Sequence, residues 1–322
     1  MVPTLAADEA LSACLESLAR QRFRDFEVVV VDNSGRGAVK PAAGVTVLAP
    51  ERNVGFGSAI NLAARRSTAK FVATLNDDAV ASPEWLQALV TAARADAHAG
   101  MFASQVRLSD TELDSAGMLL CADGSSKQRG HGRAPAGFSA EALFPSGSAA
   151  LYRRELFAEL GGFDDDYFLY CEDTDLGLRA VWAGWRCAYV PEAIVYHRYS
   201  HSAGRVSSLK AYRVERNRLF TAAKNFPWRM LWKVLPWSAA RYLWHGWSVL
   251  RGHGAAGQFS QEGGSVLTLA WFVLKAHGAL IVSMPRLLRQ RRLIRRTARI
   301  TAAEFAAMAA RHSISVREVG SL

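Results

Sequence analysis

The stretch 26-FEVVVVDNSG-35 sets four consecutive valines ahead of a polar turn. An apolar run this short, rich in a β-branched residue and closed by Asp-Asn-Ser-Gly, predicts a strand buried on both faces, as in a parallel sheet. Upstream, 8-DEALSACLESLARQ-21 lines up Leu11, Cys14, Leu15 and Leu18 behind a capping Asp8, which predicts an amphipathic helix. Downstream the alternation continues with strand 45-VTVLAP-50 and a glycine-broken loop, 51-ERNVGFG-57, that opens helix 58-SAINLAARRS-67. Strand 70-KFVATLNDDA-79 follows, and Ser82 and Pro83 start helix 84-EWLQALVTAARAD-96. Strands alternating with helices predict an α/β domain of Rossmann-like type with a mostly parallel sheet, its ligands bound beyond the carboxyl ends of the strands.

From 101 to 150 the pattern weakens into short strands and Gly/Ser-rich loops such as 122-ADGSSKQRGHGRAPAG-137. Loops of that length usually carry function or mobility. After 145-PSGSAALYRRELFAELGGFDDD-166 the helical period returns, and 187-CAYVPEAIVYHRYS-200 reads as a strand, a proline turn and another strand or edge.

The chain has 322 residues, half of them hydrophobic, enough for one large core or two modest ones. Its four cysteines form no CxxC pair, which argues against a disulfide framework or zinc site and for a reducing compartment. The opening MVPTLAADEALSAC shows no basic leader followed by an apolar segment. Charge is distributed unevenly. Residues 1–197 hold 18 Lys and Arg against 25 Asp and Glu, whereas residues 198–300 hold 19 against 2. This fits a soluble domain with a basic helical tail or a catalytic domain with an anion-seeking appendage, and the change of character near 205 predicts one domain over 1–204 and a basic, Trp-rich helical extension over 205–322.

Within that extension, 265-SVLTLAWFVLKAHGALIVSMP-285 is about long enough to span a bilayer, but Lys275 falls mid-segment. A lysine there costs ~2.5–3.5 kcal/mol on insertion scales. Amphipathic helices lying in the membrane interface fit better, with tryptophans at headgroup depth and 286-RLLRQRRLIRRTAR-299 meeting anionic lipid. The expected partner is an anionic membrane surface on its cytoplasmic side, with no nucleic acid, since phosphate binding needs no Trp- and Leu-rich helices.

Two acidic clusters carry the chemistry. At the end of a strand, 74-TLNDDA-79 groups Asn76, Asp77 and Asp78, an oxygen-rich corner suited to Mg²⁺ or Mn²⁺. The second cluster, 167-YFLYCEDTDLGLR-179, places Glu172, Asp173 and Asp175 within four positions, just after Asp164, Asp165 and Asp166. Like charges this close raise one another's pKa. Acids at the start of a helix also complement its dipole, so capping is a second use for them. A dinucleotide-binding fingerprint is weak here, because 55-GFGSAI-60 puts Ile60 where its third small residue belongs.

In order, VVVDNSG, ERNVGFGSAINLAARRS, FVATLNDDA, the segment PSGSAALYRRELFAELGGFDDDYFLYCEDTDLGLRAVWAGW and YVPEAIVYHRYS resemble glycosyltransferase family 2, and most nearly its rhamnosyltransferase-like branch. The resemblance covers roughly residues 2–200 and implies a GT-A fold. The implied reaction is inverting, metal-dependent transfer of a sugar from a nucleoside-diphosphate sugar to a hydroxyl of a surface-polysaccharide or lipid-linked glycan acceptor. It suggests dTDP-rhamnose first as donor.

Site residues follow by position. Asp32 matches the acid that binds the nucleotide base. Pro3, Arg52, Asn53 and Gly55 match segments around the nucleotide sugar, with Asn76, Asp77 and Asp78 in the DxD segment that meets the diphosphate. Asn76 replaces that motif's first carboxylate, which favours an alternative reading as a catalytically degenerate, membrane-bound subunit. Asp78, Asn76 and His197 are the implied metal ligands. Asp173 is the implied catalytic base with Glu172 beside it, and Asp175 and Tyr170 are the implied acceptor contacts. Family chains open with a longer apolar strand before the Pro-Thr turn, so an upstream-extended version is expected to be more stable.

Overall fold

The computed structural model describes residues 1–197, 208–250 and 266–321. Their order is β1 (Val2–Thr4), α1 (Glu9–Ala19), β2 (Val28–Asp32), β3 (Val45–Leu48), α2 (Phe56–Arg66), β4 (Phe71–Leu75), β5 (Ala79–Ala81), α3 (Trp85–Ala95), β6 (Ala99–Arg107) and β7 (Leu113–Ser115). Then come β8 (Met118–Cys121), β9 (Ser126–Gln128), β10 (Glu141–Ala142), β11 (Ala149–Arg153), α4 (Arg154–Glu159), a 3-10 turn, α5 (Glu172–Trp182) and β12 (Arg186–His197). The remainder is α6 (Ser208–Asn225), α7 (Trp228–Leu250), α8 (Val266–Arg296), α9 (Ala302–Arg311), β13 (Ser313–Ile314) and α10 (Val316–Ser321). The chain divides into two units: Met1–Met118 with Gln128–Ala180 and Trp185–Ser202, and Leu119–Lys127 with Val181–Gly184 and Ala203–Leu322. The boundary expected at 204/205 lies outside the described residues.

In the first unit β1, β2 and β3 pair in parallel, Val30 opposite both Val2 and Val47. The valine run explains itself here. Val30 joins Leu11, Cys14, Leu18, Trp85 and Leu89 on one face of the sheet, while Val29 and Val31 meet Ala59 and Ala63 of α2 on the other. A strand buried on both faces has no position for a polar side chain. Asp8 caps α1 by accepting the Ala10 and Leu11 amides, as its place in the sequence predicts. β1 also borders β4: the Leu75 amide donates to the Met1 carbonyl at 3.1 Å.

Beyond β4 the sheet is mixed. β11 runs antiparallel between β4 and β6, and β6 pairs in parallel with β12. The nine-residue β6 falls in the stretch whose sequence pattern faded. AGMFASQVR is buried at eight of nine positions and filled with small residues, so it shows neither alternation nor a strong apolar run. α2 begins at Phe56, not Ser58, and the 70–79 stretch splits at Asn76 into β4, a turn and β5. β12 is one continuous strand through Pro191, with a register shift between Val190 and Ile194 that accommodates the proline.

In the second unit α6 packs along α8, and α7 packs on α10. Trp182 stacks on Phe305 of α9, centroids 4.5 Å apart, and its indole N–H donates to the Asn225 carbonyl at 2.9 Å. The centre is ionic. Arg218 is fully buried and donates to the Asp123 carbonyl at 2.8 Å and to Ser238 Oγ at 3.0 Å, while pairing with Glu215. Arg241 reaches Asp123 Oδ2 and Glu215 Oε2, each at 2.6 Å. Burial alone would raise the Glu215 pKa, but Arg241 and Arg218 bring it down to about 2.

The outer faces of α7 and α8 are apolar. Trp228, Trp232, Leu235, Trp237, Leu243 and Trp247 are exposed on α7, and Leu267, Trp271, Leu274, Ile281 and Val282 on α8. Trp237 apart, their positions fall on one side of each helix at 100° per residue, so each helix presents a stripe. Neither helix contains an acidic residue. Leu267–Arg296 is long and apolar enough to cross a membrane by length and composition. The mid-segment Lys275 places its ammonium 4.7 Å from the centre of the Tyr212 ring on α6, a cation–π contact.

Removing one member of a buried ionic cluster leaves its partners under-compensated at ~3–5 kcal/mol. Arg218→Ala is expected to fall at the lower end of that range, because Arg241 still neutralises Glu215. Thermal unfolding followed by circular dichroism checks this; an unshifted midpoint contradicts it.

Candidate active site

Strand register brings the first acidic cluster to a histidine far away in sequence. β5 begins directly after Asp78 and pairs antiparallel with the end of β12, Ala79 opposite His197. The His197 ring therefore lies against the turn between β4 and β5. Its Nε2 is 3.1 Å from Asp78 Oδ1 and 3.2 Å from Asn76 Nδ2, and its Nδ1 is 3.0 Å from Asp114 Oδ2. Burial would lower the His197 pKa, but the hydrogen bonds and charges of Asp114 and Asp78 lift it to about 9. Asp77, the middle residue of the turn, accepts from Thr4 Oγ1 at 2.6 Å next to Pro3 in β1.

The second acidic cluster is sorted by what holds each carboxylate. Asp164 caps the 3-10 turn through the Asp166 amide. Asp165 accepts from Ser58 Oγ at 2.6 Å and from Asn61 Nδ2 at 3.1 Å. Asp175 is fully buried between Arg179 Nε at 2.8 Å and the Tyr167 hydroxyl at 3.2 Å, and Arg179 goes on to the Leu160 and Gly162 carbonyls. Those contacts make Asp175 an anchor of the loop ahead of α5. Only the adjacent pair Glu172 and Asp173 is left at the helix start.

The backbone delivering that pair is strained. Phe168, Tyr170 and Cys171 all have positive φ, between 64° and 70°. Each such non-glycine residue costs ~1–3 kcal/mol and persists only where its surroundings enforce it. One enforcing contact is the Phe56 amide, which donates to the Phe168 carbonyl at 2.8 Å. Gly55 precedes it with φ 88°, and a Cβ there would stand 2.2 Å from the Phe168 oxygen. Glycine at 55 is therefore required by close approach as well as by conformation. Tyr170 is half-buried within this segment.

A short loop joins the two clusters. The Gly147 amide donates to Asp173 Oδ2 at 3.0 Å, and the next residue, Ser148, accepts the Asn76 amide at 2.8 Å. The loop 145-PSGS-148 thus ties the start of α5 to the end of β4. Asp173 also accepts the Thr174 amide at 2.7 Å. Burial raises its pKa, and these donors oppose the rise. Burial, and then the neighbouring Asp173 charge, push Glu172 to about 8. Near neutrality Glu172 keeps its proton, whereas Asp173 is the member of the pair whose charged form the Gly147 and Thr174 amides favour against burial.

On the other side of the sheet's carboxyl edge, Asp32 is buried at the end of β2 and accepts the Ser34 amide at 3.1 Å and the Val39 amide at 2.7 Å. Asn33 bridges to the 51–57 loop, accepting the Val54 amide at 2.9 Å and donating to the Gly55 carbonyl at 3.2 Å. Asn53 accepts the Gly55 amide at 2.9 Å, and Arg52 and Asn53 are exposed. Asn33 and Asp114 escaped the sequence reading. Asn33 was legible as an Asx residue after a strand, whereas nothing local distinguishes Asp114 in TELDSAG.

Among the described residues no group of three or more His, Cys, Asp or Glu side chains is arranged to hold a metal ion. The corner instead offers one carboxylate, one imidazole and one carboxamide. That is an incomplete shell, which suits a hard divalent cation taking its remaining ligands from phosphate oxygens. The Asp114 contact on the far nitrogen of His197 is what a metal-binding imidazole normally has behind it. The residues fit the ion on both grounds.

A family model described as glycosyltransferase like family 2 matches residues 1–222. The chain is 31% identical over 230 residues to the N-acetylglucosaminyl-diphospho-decaprenol L-rhamnosyltransferase of Mycobacterium tuberculosis, covering 61% of this chain and 74% of that one. It is 46% identical over 68 residues to the rhamnosyltransferase WbbL of Escherichia coli K12, covering 21% and 25%. Two solved structures share the fold. The mannosyltransferase PcManGT from Pyrobaculum calidifontis, in complex with GDP-Man and Mn²⁺, aligns at TM-score 0.51 and 18% identity over 97% of this chain and 85% of its own. GalNAc-T7 with UDP, GalNAc and Mn²⁺ aligns at TM-score 0.54 and 15% identity over 69% of this chain and 47% of its own.

Glu172 also makes stability depend on pH. The folded state keeps a proton up to about pH 8 that an unfolded glutamate releases near its ordinary value of 4.5, so this residue's contribution falls as pH rises between the two. The melting temperature of the wild type relative to Glu172→Gln is therefore expected to drop from pH 5 to pH 8.5. Parallel melting curves across that range would rule the protonated Glu172 out.

Proposed function

The chain belongs to glycosyltransferase family 2 and has its GT-A fold; from that premise we propose that it transfers L-rhamnose from dTDP-rhamnose, with inversion, to a hydroxyl of a lipid-linked glycan at a membrane surface. The observation that carries the reading is the 145–148 loop, which ties Asp173 and the Asn76–Asp78 corner to adjacent residues. Relatives whose names specify rhamnosyl transfer, one of them to a diphospho-decaprenol acceptor, support the donor and acceptor classes.

In this reading the nucleotide lies over the carboxyl edge of β1 and β2, with Asp32 at the base and Arg52, Asn53 and Gly55 along the nucleotide sugar. Asn76, Asp78 and His197 would hold Mg²⁺ or Mn²⁺ there. When bound, the cation offsets the negative charge that grows on the leaving nucleoside diphosphate. Asp173 takes the proton from the acceptor hydroxyl as its oxygen bonds to the anomeric carbon, while the bond from that carbon to the diphosphate oxygen breaks on the opposite face. Glu172, keeping its own proton, leaves Asp173 as the single basic group of the pair. The strained Phe168–Cys171 segment, Tyr170 included, stands beside that hydroxyl.

The membrane part of the reading rests on the second unit. Trp232 is 80% exposed and Trp271 60% exposed, on helices that contain basic but no acidic residues. Such stripes bury in the interface while the cations meet anionic headgroups.

Asp173→Asn keeps the side chain's size but removes the proton acceptor. Positioned general bases supply ~10²–10⁴-fold, and kcat/KM for release of dTDP from dTDP-rhamnose with a lipid-linked acceptor is expected to fall by that factor. Affinity for dTDP should stay unchanged. A variant within tenfold of wild type would overturn the assignment. The protein is also expected to sediment with phosphatidylglycerol vesicles at low salt and to be released as salt screens the attraction, with Trp232→Ala and Trp271→Ala weakening retention. Equal binding to neutral vesicles would contradict this.

A further inference from the structure

We propose that Asp114 is a positioning residue: it holds Nδ1 of His197 and is itself held by His131, so that the other ring nitrogen, Nε2, is aimed at the Asn76–Asp78 corner. The inference rests on the reading of that corner as the place where a divalent cation meets the diphosphate.

Three contacts form a line. His131 Nδ1 is 3.1 Å from Asp114 Oδ1, Asp114 Oδ2 is 3.0 Å from His197 Nδ1, and His197 Nε2 is 3.1 Å from Asp78 Oδ1. Asp114 is 2% exposed and each of its oxygens faces a different imidazole. A carboxylate can only accept, so the His197 nitrogen facing it must carry the proton. Nε2 is then the nitrogen with a lone pair to give once a cation takes the place of a proton there. Had Nδ1 no acceptor, the Asp78 carboxylate would draw the proton to Nε2, the nitrogen needed for a cation, and the ring would be held from that side alone about χ2 (a broad, soft torsion).

The fold makes Asp114 stiff. It lies in the middle of β7, which pairs with β6 through a register shift between Val106 and Arg107, an irregularity that re-aims side chains. From the opposite side, the Gly-rich loop that the sequence marked as a candidate functional segment hydrogen-bonds back to β7. The Gly132 amide donates to the Leu113 carbonyl and the Leu113 amide to the Arg133 carbonyl, both at 2.9 Å. Gly130 and Gly132, with φ of 83° and 69°, flank His131 and let the chain turn tightly enough to present its ring to Asp114. The second half of this loop thus has an assigned use: it delivers the residue that fixes the carboxylate behind His197.

The test is cation uptake, read without turnover. Mn²⁺ is titrated into the full-length protein with inorganic pyrophosphate present, and free Mn²⁺ is followed by electron paramagnetic resonance. Outer-shell partners of metal-binding histidines are typically worth ~10–100-fold in affinity, and Asp114→Ala is expected to weaken Mn²⁺ by that factor, His131→Ala by less. Long-range ¹H–¹⁵N spectra with Mg²⁺ and pyrophosphate should show His197 protonated at Nδ1 in the wild type and as a tautomer mixture in Asp114→Ala. Should Asp114→Ala fail to fold, Asp114→Asn, which keeps the size and loses the charge, takes its place in both measurements. Mn²⁺ affinity within twofold of wild type, with an unchanged tautomer, overturns the positioning role. A wild type that takes up no Mn²⁺ overturns the corner reading itself, and this inference with it.

Discussion

The hydrogen bond from the Asn76 amide to the Ser148 carbonyl is the constraint on which the site depends. It fixes the turn after β4 to a loop whose preceding residue, Gly147, holds Asp173. Two acidic clusters almost a hundred residues apart in sequence are thereby set within one short loop of each other. Neither would be useful alone. In the proposed function the corner at Asn76, Asp78 and His197 needs phosphate oxygens to complete a cation's shell, and Asp173 needs amide donors to oppose the rise that burial gives its pKa. The loop serves both, because its backbone offers an amide to one cluster and a carbonyl to the other.

The arrangement around that loop separates anchoring from chemistry. Asp164, Asp165 and Asp175 are all committed to holding the 163–171 backbone, through the Asp166 amide, Ser58 and Asn61, and Arg179 respectively. Their contacts enforce three residues at positive φ directly ahead of Glu172. Strain of this kind survives only where many contacts oppose its release, and here it sets where α5 begins. In the second unit, similarly, part of the positive charge faces inward. Arg218, Arg241 and Arg291 are buried, and Arg291 donates to the Ala223 carbonyl near the end of α6 at 3.0 Å. The surface charge is correspondingly smaller than the composition of 198–300 implies.

Much of this was legible in the sequence. The valine run and the capped helix before it gave the parallel layer, because burial on two faces leaves a signature in residue type. The NDDA turn stood out because polar residues at a strand end are conspicuous. β6 was not legible, since alanine, glycine and serine in AGMFASQVR carry neither period. Asp114 was hidden for a different reason. Its meaning comes from register, β12 against β5 and β7 against β6, which brings a mid-strand aspartate to a histidine 83 positions away. The pairing of Arg179 with Asp175 could not be read either, because proximity in sequence says nothing about which carboxylate an arginine will claim.

The most direct test is a crystal structure of the protein soaked with Mn²⁺ and dTDP, with the manganese located by its anomalous scattering. The account predicts one strong peak at the turn between β4 and β5, where Asp78 and His197 would hold the ion, with the diphosphate beside it. Asp173 should face the same nucleotide from the far side of the 145–148 loop. A manganese ion bound elsewhere, or a diphosphate resting away from the turn between β4 and β5, would contradict it.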